Sequence, residues 1–349
     1  MFTLTPPAIP LIVKLRNEFS MRLHQAVSAE ELRDRMDSSK ISQILRISKM
    51  YYELNMSQIQ IAEKEGISKS NVSRLLKSAM DMGFIEVRVK ESVLSYSDLE
   101  KELIERYPLR RAVIVPDLVG NRQVLLQDVC GALAEDLPRF LKDNIILGVH
   151  WGNTLAVLAK FLPSIKRQGI SVIQLSGGFS RAVYESGALD ILKSFVDSVH
   201  GTGYQIPAPA MVDQAFIADA IKQDHQIDQI LDMANHCDTA VFSVGNLERP
   251  SVLYEMGLIT EENYRIIKEK GGIGDCCSHF INKNCEILDP EMDKRVIAAP
   301  LDVIKKIPNK LLVAVGKEKA EVIKAALIGG LVDSLYIDAP TAEEIIRLS

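Results

Sequence analysis

No uninterrupted apolar run in the sequence reaches membrane-spanning length, and no basic stretch followed by a long apolar core opens the N-terminus. A bilayer needs about 20 apolar residues in a helix, and a secretory leader needs that two-part pattern. The expectation is a cytoplasmic protein with no membrane partner. Cysteine is sparse and odd in number, at Cys130, Cys237, Cys276, Cys277 and Cys285, which predicts reduced thiols and no disulfide framework. Cys276, Cys277, His279 and Cys285 lie close together, but adjacent cysteines rarely chelate one zinc and no second ligand pair accompanies them. Buried thiols and no metal are expected. The six histidines form no spaced ligand set. Gly316-Lys317 lacks the glycine spacing and the following Ser or Thr of a Walker A loop, and no G-x-G-x-x-G opens a helix. No cofactor is expected.

At 349 residues, 47 % hydrophobic and 25 % charged, the chain has a globular composition and room for two domains. Its most informative stretch is residues 56–89, MSQIQIAEKEGISKSNVSRLLKSAMDMGFIEVRV. Val72, Leu75, Leu76, Ala79 and Met80 recur at helical spacing and form one apolar stripe. Ser70, Ser73, Arg74 and Lys77 lie off it, with Lys69 and Asn71 at the helix start, so the polar face has two cations, hydroxyls and no carboxylate. Upstream, Ser57 is placed to cap a short helix through Glu65. Ile59 and Ala62 are expected to point inward, Gly66 to end the helix and Ile67 to fill the corner. Two short helices around a glycine turn, the second with a basic outer face, describe a helix-turn-helix whose second helix enters the DNA major groove. The less specific reading is an ordinary two-helix corner. After Gly83, Ile85, Val87 and Val89 alternate with Glu86 and Arg88, which predicts a strand and suits a winged helix-turn-helix. Residues 41–54 supply a third helix.

Residues 40–90 carry nine Lys or Arg against five Asp or Glu, net +4, while the whole chain carries −5 and the remainder therefore −9. A cationic module can neutralise DNA phosphates and release counterions, and an acidic body avoids them.

Ile12, Leu15, Phe19, Leu23 and Val27 form a stripe that predicts a helix ahead of the DNA module. The expected division is an extension at 1–40, the helix-turn-helix at 41–90, a linker helix at 91–108 and an effector domain at 109–349. From Arg111 the pattern changes to short continuous apolar runs at 112–115, 145–149, 172–175, 240–244, 311–315 and 335–337. Such runs suit strands buried on both faces of a parallel sheet. Helical segments at 123–141, 154–161, 189–199, 213–220, 261–269 and 318–327 alternate with them. The fold class is α/β: a winged helix-turn-helix plus a Rossmann-like parallel-sheet domain.

In open α/β sheets, ligands bind outside the carboxyl ends of the strands. Five loops read as converging there: His150-Trp151-Gly152-Asn153-Thr154, Ser176-Gly177-Gly178, Gly245-Asn246, the glycine turn ending in Asp275, and Gly316-Lys317-Glu318-Lys319. Backbone amides and lysine suit an anion, and Asp275 and Asn246 suit hydroxyls, which is the chemistry of a phosphorylated-sugar site. Trp151, the single tryptophan, either stacks on a ligand or packs. His150 is a candidate hydrogen-bonding partner beside it.

The helix-turn-helix followed by GVHWGNTL, VIQLSGG, IPAPAMVD, VFSVGNL, GGIGDCCSHF and VAVGKEKAEVIKAALIGGLVDSLYID resembles the SorC family of sugar-responsive bacterial transcriptional regulators. The resemblance covers Ile41 to the C-terminus. It implies a dimer or homotetramer on operator DNA and an effector domain similar in fold to phosphosugar isomerases, with catalysis lost. It also implies a sugar or sugar-phosphate effector. By motif, Gly152, Asn153 and Thr154 would sit at the ligand, Gly177 and Gly178 would line it, Asp275 would accept from sugar hydroxyls, and Lys319 would hold phosphate or hydroxyl groups. The family's Gly-Gly before that lysine is here Val315-Gly316, and Asn153 stands where many members have Arg or Thr. Ser176 stands where members resembling deoxyribonucleoside regulators have lysine, so no Schiff base is expected there.

The leading expectation is a regulator of carbohydrate metabolism whose operator affinity is set by a sugar phosphate, with no catalytic residues. The rival is a phosphosugar isomerase or deaminase with a DNA-binding appendage, using Asp275 or His150 as base. A third reading has a vestigial crevice in a domain that only oligomerises.

Overall fold

A computed structural model describes residues 12–15, 38–88, 96–178, 187–248 and 259–349, with backbone alone at 12–15 and 86–88. The chain divides into two compact units, Met1–Leu94 and Ser95–Ser349.

In the smaller unit, α1 (Ser38–Tyr52), α2 (Gln58–Glu65) and α3 (Lys69–Asp81) pack around Ile44, Ile47, Ile61, Val72 and Ala79. The start of α2 follows from its sequence. Ser57 Oγ accepts from the Gln60 N–H while Gln60 Oε1 accepts from the Ser57 N–H, a reciprocal cap. Gly66 closes α2 in the left-handed region at φ 67°, which glycine enters without Cβ strain. Ser68 caps α3 by accepting from the Asn71 N–H. Arg46 and Glu65 form a bidentate pair that ties α1 to α2.

Two inward positions differ from expectation. Ile59 is 56 % exposed and Met80 46 % exposed. Ile59 and Ile61 lie about 200° apart around α2, so only one can face the core, and Ile61 takes it. Met80 follows Ala79 by one residue and is turned out of the stripe that Ala79 enters. The helix expected from the stripe at residues 12–27 is replaced at its start. β1 (Ile12–Leu15) pairs antiparallel with β2 (Ile85–Arg88), with Leu15 opposite Ile85. The β-branched Ile12-Val13 suits a strand, and β2 offers an edge to pair. The rest of that expected helix, and residues 28–37, lie outside the described residues.

In the larger unit, seven strands form one parallel sheet in the order β3 (Arg111–Val115), β12 (Ser334–Asp338), β11 (Asn309–Val313), β7 (Thr239–Phe242), β4 (Ile146–Val149), β5 (Ser171–Gln174) and β6 (Thr202–Tyr204). Successive residues alternate between two cores. Val172, Val241, Leu311 and Tyr336 enter the core made with helices Arg122–Asp136, Asn153–Phe161 and Ala188–Val199. Ile173, Phe242, Leu312 and Leu335 enter the other, made with helices Ser97–Arg106, Leu301–Lys306, Ala320–Ile328 and Ala339–Arg347. This period of two under helices on both faces is the doubly wound arrangement.

The stretch read as a linker helix packs inside this unit. Leu103 is fully buried and Glu100 Oε1 accepts from the Ile114 N–H. The expected strand at 240–244 breaks at Ser243. β8 (Val244–Asn246) leaves the main sheet and pairs antiparallel with β9 (Gly274–Cys276), which pairs with β10 (His279–Ile281). Two of the five expected loops, those at Gly245 and Asp275, are therefore strands of a small separate sheet. Glycine at 245 and 274 serves close strand approach there rather than turn geometry, since a Cβ on Gly274 would lie 2.2 Å from the Gly245 carbonyl oxygen. Helix 123–141 ends early, at Asp136, and a tighter turn at Leu137–Phe140 follows, with Pro138 in its second position.

Candidate functional site

On α3, Lys69, Ser70, Ser73, Arg74 and Lys77 are exposed, and Asn71 is half-buried. The amphipathic spacing accounts for this, because Val72, Leu75, Leu76 and Ala79 occupy the inner face. Arg74 and Lys77 have no carboxylate partner among the described residues, so their charge is available to phosphate. Ser70 Oγ lies 3.0 Å from the Ser68 cap hydroxyl.

In the larger unit, β4 and β7 are neighbours, but the chain continues from β4 to β5 and β6 on one side and from β7 to β11 and β12 on the other. A crevice opens where strand order reverses in this way. The turn after β4, the small sheet continuing from β7 and the turn after β11 all follow from these strand ends.

After β4, Gly152 adopts φ 127° and starts helix Asn153–Phe161 without any side-chain cap. First-turn N–H groups left uncapped in this way form a partial positive charge suited to an anion. Thr154 is buried and Asn153 exposed. After β5, the Gly177 N–H donates to the Ile297 carbonyl at 2.8 Å and the Gly178 N–H to the Ala208 carbonyl at 2.9 Å. These glycines join three segments, and their amides are taken up within the protein. A Cβ on Gly177 would lie 2.5 Å from the Ala208 carbonyl oxygen.

Asp275 pairs in register with Gly245, and its carboxylate rests on that glycine. Burial pushes the Asp275 carboxyl up to about 6, against the opposing pull of the Ser278 N–H, Lys319 and His279. Burial also lowers the Lys319 amine, against the attraction of Asp275 and Glu318. An exposed ion pair would shift both the other way. Here the loss of water outweighs the mutual attraction, so burial favours the neutral form of each group. Around them, Asn246 Nδ2 donates to the Glu318 carbonyl at 3.3 Å, and Arg122 pairs with the Glu318 carboxylate. Gly316, at φ 110°, donates its N–H to Asp338 Oδ2 at 2.9 Å and Thr341 Oγ1 at 3.0 Å, which shapes the turn that presents Lys319.

The sequence reading missed Ser278, Arg122 and the Asp338–Thr341 pair, and it placed Glu318 in the turn without giving it a role. Asp338-Ala-Pro-Thr341 is a legible helix start, with a capping Asp and an early proline. Nothing local marks Ser278 or Arg122. Trp151 packs: it is 5 % exposed, and its Nε1 donates to Ser176 Oγ and the Gly177 carbonyl. All five cysteines are free thiols, and four are buried. A separate cavity of about 250 Å³ lies at the opposite sheet edge, lined by Cys237, Asp238, Ile307 and Pro308 ahead of β7 and β11. It is remote from the carboxyl ends, so it takes no part in the site above.

Residues 91–347 match the Sugar-bind domain family, and residues 55–86 match a winged helix-turn-helix DNA-binding model. The chain is 30 % identical over 316 residues to the deoxyribonucleoside regulator of Bacillus subtilis (strain 168), covering 89 % of this chain and 99 % of that one. This chain belongs to the SorC family of sugar-binding transcriptional regulators. Another relative, the transcriptional regulator LsrR of Enterobacter sp. (strain 638), is 28 % identical over 88 % of this chain and 93 % of its own. The crystal structure of the full-length sorbitol operon regulator SorC from Klebsiella pneumoniae has the same fold. Its TM-score is 0.69 at 23 % identity, over 88 % of this chain and 98 % of that one. The protein is a DNA-binding transcriptional regulator with a sugar-binding domain.

Proposed function

We propose that a sugar phosphate binds at the β4/β7 switch point and sets the operator affinity of a cytoplasmic homo-oligomer. The observation that carries this is the buried Asp275 carboxylate seated over Gly245, with the Lys319 amine near enough to act on its charge; helix Asn153–Phe161 starts uncapped after β4. Asp275 accepts from sugar hydroxyls, Lys319 takes the anionic end or a hydroxyl, and the amides of Asn153 and Thr154 face phosphate. Gly152, Gly177, Gly178 and Gly245 shape the walls, and Asn246 holds the Lys319 turn. Lys69, Ser70, Asn71, Ser73, Arg74 and Lys77 read DNA, with a dimer or tetramer matching paired half-sites. A ligand that favours one arrangement of the effector domains changes the spacing of the recognition helices, and only differential affinity for two states produces this.

Thermal-shift screening with pentose and hexose phosphates tests the reading, because a ligand bound only by the folded state raises the melting temperature. A rise in the wild type that is lost in Asp275→Asn and Lys319→Ala supports it. No rise with any sugar or sugar phosphate favours the oligomerisation reading. One observation favours an isomerase instead: a carboxyl near 6 lies in the range of a general base. Turnover of those phosphates above background would replace the sensor with the enzyme.

A further inference from the structure

The β9–β10 hairpin turns through Cys277 and Ser278, at φ 50° and 73°. Both are left-handed, where two-residue hairpins normally place asparagine or glycine. The turn is also fully buried, with Cys277 at 0 % and Ser278 at 5 % exposure. Non-glycine residues persist in this region only when their surroundings hold them there. The Ser278 hydroxyl meets His150, at the carboxyl end of β4.

His150 Nδ1 lies 3.0 Å from the Trp151 carbonyl oxygen, which can only accept, so Nδ1 carries the proton. Nε2 then accepts from the Ser278 hydroxyl at 3.1 Å. The imidazole stacks on the Trp151 ring, with centroids 5.1 Å apart and planes 19° apart. Trp151 is itself pinned to Ser176 and Gly177. Asp275 lies three residues before Ser278, on β9 of the same hairpin, and the Ser278 N–H favours its charged form.

We propose that His150 is a positioning residue that acts through Ser278, holding the hairpin turn so that the Ser278 N–H stays on the Asp275 carboxylate. The role rests on Asp275 being part of the effector site, as proposed above. The other charged groups facing Asp275 are Lys319 from the turn after β11 and His279 from β10; the Cys276 thiol adjoins it on β9. His279 is fixed separately, with Nδ1 2.6 Å from Asp293 Oδ1 and Nε2 3.1 Å from the Ala299 carbonyl. Cutting the His150–Ser278 contact therefore leaves these groups in place and loosens only the N–H.

The test uses the full chain without ligand. Denaturant unfolding, followed through the single tryptophan, is compared with and without Asp275→Asn across pH, and the difference reports where Asp275 titrates. In the wild type this lies near pH 6. His150→Ala and Ser278→Ala each move it up by about 0.5 to 1 unit, since a lost hydrogen bond to the charged form disfavours that form. The double variant moves it no further, because both changes cut one contact. His150→Gln, whose Oε1 can accept from Ser278, restores the wild-type value. An unchanged midpoint, or additive shifts in the double variant, overturns the proposal. If His150→Ala does not fold, Ser278→Ala decides alone. No sugar enters the measurement, so its failure is distinct from failure of the thermal-shift screen.

Discussion

The Asp275 carboxylate rests on the backbone of Gly245: a methyl group added there would lie 2.1 Å from Asp275 Oδ1. Cross-strand pairing in the small sheet sets this contact, so residue 245 must be glycine for residue 275 to sit where it does. Gly245→Ala should displace the carboxylate. The expected result is loss of sugar-phosphate thermal shift comparable to Asp275→Asn, with a stability cost of about 1–3 kcal/mol from overpacking. Calorimetry with and without sugar phosphates checks both, and an unchanged ligand response would separate Asp275 from the site.

Arg74→Ala should weaken operator binding and reduce its salt dependence by about one ion, while leaving the sugar-phosphate response intact. Gel-shift titration at several salt concentrations measures this. Unaltered affinity would mean that α3 presents a different face to DNA.

Asp275 and His150 should produce opposite pH slopes. The Asp275 carboxyl is raised from 3.8 to about 6, so the folded state holds the proton more tightly, and stability falls as pH rises from about 4 to 6. His150 is lowered from 6.5 to about 4, chiefly by burial, so the unfolded state holds the proton more tightly, and stability rises over nearly the same window. Each amounts to about 3 kcal/mol by linkage, and the two largely cancel. Asp275→Asn should expose a stability that climbs with pH, and His150→Gln one that declines. Denaturant titrations from pH 4 to 7 read these slopes; parallel slopes in both variants contradict the assignment.

The native thiols should resist modification. Burial pushes Cys130, Cys237 and Cys285 up to about 12, which removes the thiolate that reacts. A chromogenic disulfide reagent at neutral pH should label the native protein slowly and all five thiols in denaturant. Rapid native labelling would show that a thiol is more open than the packing around it implies.

Local chemistry alone determined several features of this chain. The caps at Ser57 and Ser68, the left-handed glycine at 66, and the stripe of Val72, Leu76 and Ala79 specify α2 and α3, because capping and periodicity act within a few residues. Continuous apolar runs likewise specified strands buried on both faces, and glycines after them marked the carboxyl edge. Tertiary structure decided what depends on partners distant in sequence. Ile61 was buried in place of Ile59 because one side of α2 met α1 and α3. The stretch at 274–276 became a strand because β8 offered it an antiparallel partner. Asp275 met Gly245, Lys319 and the His150–Ser278 contact only because a sheet reversing its strand order gathers chain segments up to 169 residues apart, and no periodicity in the sequence records that meeting.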